Sequence, residues 1–175
     1  MVRILHYGFV LMLIAVISGG ILGNLNKATA SIIECKKQEA TEIARKEVLP
    51  KATKFNMDEK IKKGDFEFIP GYNAENKNVG YVVSVCSIGY GGEIKFVLGI
   101  DENKKVAGLK IVDSKETPGL GAKINNLDWQ KSWLGRDKNY EFNKSVDAFA
   151  GATISPRAVY KGIKKTLAEF EKVVK

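Results

Sequence analysis

The sequence predicts an α+β fold in which a single amino-terminal transmembrane helix precedes a domain of antiparallel strands with packed helices. Three observations lead to this prediction: an uncharged amino-terminal run, a series of β-branched segments in the middle of the chain, and an amphipathic carboxy-terminal segment. The length of 175 residues suits a single globular domain behind such an anchor. The predicted divisions are a transmembrane anchor at 1–26, a juxtamembrane helix and linker at 27–54, and a globular domain at 55–175.

The uncharged run is long enough to cross a membrane as a helix. From Ile4 to Asn26, 23 consecutive residues contain no Lys, Arg, Asp or Glu, and roughly 20 apolar residues span the hydrocarbon core. The alternative is a cleaved signal peptide, because residues 28–30 (Ala-Thr-Ala) resemble a cleavage site, although signal peptides have apolar cores of only ~7–15 residues. Arg3 predicts a cytoplasmic amino terminus in the plasma or inner membrane, with the soluble domain on the extracytoplasmic side.

Residues 28–49 are predicted to form one helix, because apolar side chains recur at helical spacing and Pro50 then ends the run. Cys35 lies on this helix, and Cys86 lies in a later predicted strand. Two interpretations of these cysteines stay open. They are either unpaired, packed thiols or a disulfide formed outside the membrane.

The middle of the chain is predicted to form an antiparallel meander. Phe66 and Phe68 alternate with polar residues, and three further segments at 79–88, 93–100 and 106–112 alternate or are rich in β-branched residues. Clusters of glycine and polar residues separate these segments, which is typical of tight connections between strands.

Two helices are predicted to follow the strands. In the first, at 123–134, Trp129 and Trp133 are four residues apart and therefore share a face. The second, at 156–174, has a lysine-rich outer face and an apolar stripe that is expected to face the core. The stripe consists of Val159, Ile163, Leu167, Phe170 and Val174.

The composition limits the chemistry that this chain's own side chains support. It has 28 Lys and Arg against 20 Asp and Glu, a formal charge of +8, but only one histidine and two cysteines. Because His6 lies inside the apolar run, no imidazole is left for a Ser-His-Asp or Cys-His site, and a zinc site would lack ligands. The lysines are dispersed and no nucleic-acid motif occurs, so neither a nucleic-acid partner nor a metal is expected.

The first motif is D-A-F-A-G-A-T-I-S-P at 147–156. Gly151 suits a turn that needs positive φ, Ser155 is predicted to be the N-cap of the last helix, and Pro156 its first helical residue. Thr153 then lies just before a helix amino terminus, where free N–H groups and the helix dipole favour a phosphate. The alternative is a capped helix without a ligand.

The second motif is E-T-P-G-L-G-A-K at 116–123, after the last predicted strand. Two glycines and a proline predict a shaped loop. Leu120 is expected to be exposed between the glycines and to offer an apolar contact to a ligand. The alternative is a plain connection between a strand and a helix.

The two motifs, in this order and separation, resemble the FMN-binding domain family. In that family the pattern D-x-x-[S/T]-G-A-T marks a threonine esterified to the phosphate of FMN. The E-T-P-G-L-G loop is shared by the G subunits of Rnf-type ion-translocating ferredoxin–NAD oxidoreductases and the C subunits of sodium-pumping NADH–quinone oxidoreductases. The short length and the I-S-P-R-A-V continuation from residue 154 are closer to the G subunits.

The resemblance implies roles for particular residues. Thr153 would carry covalent FMN through a phosphoester, and Asp147 would be the acidic residue of the pattern that a flavin transferase recognises. Ala150 departs from the pattern, which has Ser or Thr there, and Arg157 either neutralises the phosphate or is simply solvated. The other implied cofactor-binding residues are Gly151, Ala152, Ser155, Glu116, Thr117, Leu120 and Gly121.

The function implied by the resemblance is a membrane-anchored electron carrier, in which FMN supplies the redox chemistry that the side chains lack. The implied partners are the other integral and peripheral subunits of the Rnf-type complex and, during maturation, the flavin transferase. The chain is not expected to catalyse a reaction alone or, with one span, to line an ion path. The alternatives are the C subunit of the quinone-reducing complex and a cofactor-free, membrane-tethered assembly or binding module.

Overall fold

A computed structural model describes residues 2–174, and within them the side chains of all residues except 2–3, 5 and 31–35. The chain divides into two compact units between Glu39 and Ala40. The first unit belongs to helix α1, Val2–Val48. Within α1, His6–Ala30 is long and apolar enough to cross a membrane, and the residues of its most apolar window are not buried. The predicted amino-terminal apolar helix is confirmed.

The second unit, from Ala40 onward, is built on an antiparallel sheet. In sheet order its main path is β1-β3-β4-β5-β6, and β2 pairs with β3 beside β1. The predicted meander is confirmed, because β3 to β6 are neighbours in chain order and run antiparallel. The strands β1 and β2 were not predicted, since two or three residues carry no alternation signal. The described strands are β1 Lys54–Phe55, β2 Ile61–Lys63, β3 Phe66–Tyr72, β4 Asn78–Ile88, β5 Glu93–Asp101 and β6 Val106–Ser114.

The single helix predicted at 123–134 is wrong. Asn126 has extended backbone and its side chain accepts a hydrogen bond from the Asp128 N–H at 2.8 Å, so it ends one helix and caps the next. Trp129 and Trp133 nevertheless share a buried face, with ring centroids 5.6 Å apart. The helical segments after β6 are a 3₁₀ helix Gly121–Asn125, α2 Leu127–Lys131, α3 Lys144–Asp147 and α4 Ile154–Val173.

The main core lies between the sheet, α4 and the segment that carries Trp129 and Trp133. The stripe predicted on α4 is confirmed, since four of its members are buried and Val174 is partly buried. Inward residues of β4 and β5, such as Val83 and Phe96, alternate with residues facing the other side of the sheet. This packing places the first turn of α4 beside the loop after β6.

A smaller core covers the opposite face of the sheet. Ala44, Val48 and Leu49, at the end of α1, pack there against residues of β3, β4 and β5. Gly99 and Gly108 are paired in register beneath them. A Cβ on either glycine would overlap the Val48 carbonyl, so glycine allows the backbone to lie directly on the sheet.

Cys86 carries a free, exposed thiol on β4. The side chain of Cys35 lies outside the described residues. Burial and the charge of Glu93 raise the pKa of the Cys86 thiol, whereas Lys95 acts in the opposite direction.

Candidate functional site

The two sequence motifs meet at a pocket of about 280 Å³ beside the amino terminus of α4. All eight residues implied as cofactor-binding line it, together with Tyr90 and Ile154, which were not predicted. The only sequence signal for Tyr90 is an aromatic residue among the glycines of the β4–β5 turn. The lining residues are Tyr90, Glu116, Thr117, Leu120, Gly121, Gly151, Ala152, Thr153, Ile154 and Ser155.

A tight turn presents the first motif to the pocket. The Ala152 N–H donates to the Phe149 carbonyl at 3.0 Å, and Gly151 has φ +78°. Positive φ at the third residue of a turn is the requirement of type II, which glycine meets without strain. Ala150 is the exposed second residue of this turn, so the turn closes without the hydroxyl that the family pattern has there.

Thr153, not Ser155, is the N-cap of α4, so the capping prediction is wrong. Ser155 lies within the first helical turn and is buried, and Pro156 is the third helical residue. Thr153 is half-buried, and its hydroxyl makes no capping hydrogen bond. The N–H groups of Ile154 and Ser155 have no helical partner because they lie in the first turn. In the part of the chain that the structure describes, the Thr153 hydroxyl therefore lies without a capping hydrogen bond beside two N–H donors at the positive end of the helix dipole.

Glu116 connects the second motif to α4. Its carboxylate accepts a hydrogen bond from the Ser155 hydroxyl at 2.6 Å and another from the Gly91 N–H at 3.2 Å. Only 6% of Glu116 is exposed. A Cβ at Gly121 would overlap both the Glu116 carboxylate and the Ser155 hydroxyl, so a larger residue here would displace this hydrogen-bonded pair. The carboxylate thus joins the β4–β5 turn, the loop after β6 and the start of α4.

Apolar side chains surround the mouth of the pocket. Tyr90 is 73%, Leu120 45% and Ile154 55% exposed, which confirms that Leu120 is accessible. A pocket lined by both backbone N–H donors and exposed apolar side chains suits a ligand that has an anionic part and an apolar part.

Asp147 lies away from the pocket lining, in the interior. It is fully buried, and its carboxylate accepts hydrogen bonds from the Arg136 guanidinium at 2.7 Å, the Tyr140 hydroxyl at 2.7 Å and the Asn143 N–H at 2.8 Å. Burial, followed by the hydrogen bond to Asp147, raises the pKa of Tyr140. Neither Arg136 nor Tyr140 was predicted to take part, since neither belongs to a motif.

Arg157 is exposed and does not line the pocket. Its guanidinium lies 5.4 Å from the centre of the Phe142 ring. This position favours the interpretation of a solvated arginine over that of a phosphate ligand.

Comparison with known proteins identifies the family of this chain. Residues 89–168, which include both motifs, match the FMN-binding domain. The G subunit of an ion-translocating oxidoreductase complex from Vibrio vulnificus is 30% identical over 183 residues, covering 91% of this chain and 86% of the relative. The chain belongs to the family of G subunits of ion-translocating oxidoreductase complexes. The resemblance predicted from the two motifs is confirmed.

A further relative and a solved structure are also similar to this chain. The G subunit of the Na⁺-translocating ferredoxin:NAD⁺ oxidoreductase complex of Acetobacterium woodii is 27% identical, covering 96% of this chain and 92% of the relative. The crystal structure of the C subunit of the Na⁺-translocating NADH–quinone reductase of Parabacteroides distasonis shares the fold, with a TM-score of 0.57 at 16% identity over 80% of this chain and 94% of that one. Membership of this family and the apolar helix together indicate that the chain is anchored in a membrane.

Proposed function

We propose that this chain is the electron-carrying subunit of an ion-translocating oxidoreductase complex and holds FMN as a phosphoester on Thr153. The observation that carries the proposal is the environment of the Thr153 hydroxyl. It lines the pocket at the amino terminus of α4 and, among the described residues, makes no capping hydrogen bond. A hydroxyl left unpaired at a phosphate-favouring position is suited to accept a phosphoester.

Forming this ester needs an activated flavin donor, for which a flavin dinucleotide is the suitable class. The Thr153 oxygen bonds to the phosphorus of the FMN moiety, the pyrophosphate bond breaks, and a nucleoside monophosphate leaves. The hydroxyl proton is released, and no electrons are transferred. We expect a general base of the flavin transferase to take this proton.

Different residues of the pocket would bind the phosphate and the ring system of FMN. The N–H groups of Ile154 and Ser155 suit the phosphate, and Gly151 lets the backbone approach it closely. Leu120 and Tyr90, at the mouth of the pocket, suit the ring system. Bound FMN supplies the electron transfer, while the protein supplies orientation and electrostatics.

The location of the domain is part of the same proposal. Arg3 ahead of the apolar helix favours a cytoplasmic amino terminus, so that the FMN-binding domain at 55–175 lies on the extracytoplasmic side, behind an anchor at 1–26 and a linker at 27–54. A covalent link keeps the cofactor in place where free flavin is scarce. Protease added to intact spheroplasts should digest the domain, and digestion only in inverted vesicles would contradict this orientation.

The test is to express the full chain with and without a flavin transferase and to view denaturing gels under ultraviolet light. The proposal expects a fluorescent band only with the transferase and its loss in Thr153→Ala. Thr53→Ala is the control, because it removes a threonine hydroxyl that is exposed and lies outside the pocket lining, and it should keep the fluorescence. A non-fluorescent wild-type band would instead favour the cofactor-free assembly module.

A further inference from the structure

The carboxylate of Asp147 is inaccessible in the folded chain. The residue is fully buried, and three donors already occupy its oxygens: Arg136, Tyr140 and the Asn143 N–H. An enzyme that acts on the folded chain has no route to this side chain. The expectation that a transferase reads Asp147 by contact therefore conflicts with its environment.

Arg136 is itself held firmly. Its guanidinium lies between two rings, 4.4 Å from the centre of Trp133 and 3.9 Å from that of Tyr140. Its carbonyl accepts a hydrogen bond from the Val106 N–H at 2.9 Å, at the start of β6. The ion pair with Asp147 thus connects the sheet to the segment that leads into the pocket. Removing one partner would leave an unpaired buried charge, which is strongly destabilising.

The segment from Asp147 to Thr153 is short and fixed at several points. The Trp129 indole N–H donates to the Asp147 carbonyl at 2.8 Å, and the Phe149 ring lies 5.6 Å from the Trp129 ring. The turn that starts at Phe149 closes at Ala152, immediately before Thr153. These contacts join the backbone of Asp147 to the turn that ends beside Thr153 through only a few residues.

We propose that Asp147, Arg136 and Tyr140 form a brace that positions the turn carrying Thr153 for modification, and that no transferase contact is made to Asp147. The three are positioning residues, and the inference rests on the proposed attachment of FMN at Thr153. The part of the motif that a modifying enzyme touches is then its exposed face, which includes Ala150, Gly151 and Ile154. Arg136 and Tyr140 lie outside the motif and still control the modification.

The experiment measures flavin attachment by a purified transferase, with a flavin dinucleotide as donor and the full chain in detergent as acceptor. The variants are Arg136→Lys, Asp147→Asn and Tyr140→Phe, assayed below their unfolding temperatures. A misplaced hydroxyl slows the chemical step, so kcat should fall roughly tenfold or more while KM for the acceptor chain stays within about twofold of wild type. In the double variant, Arg136→Lys should lower kcat little further than Asp147→Asn does alone, because both substitutions break the same contact.

The outcomes separate the inference from the proposed function. An unmodified wild-type chain would contradict the attachment itself. If the wild-type chain is modified but Arg136→Lys leaves kcat unchanged, the brace alone is overturned. The same holds if Asp147→Asn raises KM without lowering kcat. Tyr140→Phe keeps the ion pair and the ring packing, so it decides the question if Arg136→Lys and Asp147→Asn fail to fold. It should lower kcat by less than they do, and an unchanged kcat would then overturn the brace.

Discussion

The hydroxyl of Ser155 donates a hydrogen bond of 2.6 Å to the carboxylate of Glu116, a residue 39 positions earlier in the chain. Both side chains are buried. The contact closes the loop after β6 against the first turn of α4, and so it assembles the pocket from two motifs that are distant in sequence. The proposed FMN site depends on this contact before any cofactor binds.

Ser155→Ala tests that contact. It leaves a buried carboxylate with one donor fewer, which should lower the free energy of unfolding by about 1–3 kcal/mol, measured by denaturant unfolding of the full chain in detergent. Ser145→Ala is the matched control, because Ser145 is an exposed serine on α3. Equal stability losses in the two variants would contradict a special role for Ser155.

Gly121→Ala tests the close approach of the two motifs. A Cβ there would overlap the Glu116 carboxylate and the Ser155 hydroxyl, so the loop should shift and covalent flavin content should fall at least severalfold. Gly119→Ala is the control, because its Cβ would meet nothing while its φ of +78° imposes backbone strain alone, of roughly 1–2 kcal/mol. If Gly119→Ala loses as much flavin, strain rather than overlap explains the result.

The stability that Tyr140 contributes to the brace should depend on pH, and Tyr140→Phe tests this. Burial and the hydrogen bond to Asp147 raise the pKa of Tyr140 in the folded chain. Above the ordinary tyrosine pKa of ~10, the unfolded chain loses this proton first, so stability falls as pH rises until the folded residue also ionises. Tyr140→Phe should be less stable than wild type near neutral pH, and the difference should shrink in alkali. Tyr90→Phe, at an exposed tyrosine, is the control and should show no such pH dependence. A stability difference between Tyr140→Phe and wild type that does not change with pH would contradict the prediction.

The thiol of Cys86 should react slowly despite its exposure. Partial burial of the thiol and then the charge of Glu93 raise its pKa, and the thiolate is the reactive form. In a Cys35→Ser background, alkylation by iodoacetamide near neutral pH should be slower than in the unfolded chain, and Glu93→Gln should accelerate it. Glu75→Gln, at an exposed glutamate of the β3–β4 turn, should change nothing. An unaltered rate in Glu93→Gln would exclude the charge effect.

Local patterns predicted most of the fold, because apolar residues recur at every second position in the strands and at helical spacing in α4. The joint site was predicted only through the family resemblance, because the glycines of the two motifs by themselves also fit a capped helix and a plain loop. The helix predicted at 123–134 failed through the local cap at Asn126, whereas the two other failures depend on partners distant in sequence. Ser155 has the local preferences of an N-cap, but the buried carboxylate of Glu116 takes its hydroxyl inside the helix instead. Arg136 carries no motif, and its contact with Asp147 arises only once the loops fold together.

The attachment of FMN to Thr153 can be decided by mass spectrometry of the tryptic peptide 145–157 from chain matured with a flavin transferase. We expect a mass increase equal to FMN less one water, with fragmentation placing it on Thr153 rather than on Ser145 or Ser155. An unmodified peptide from fully matured chain, or a flavin located on either serine, would contradict the attachment.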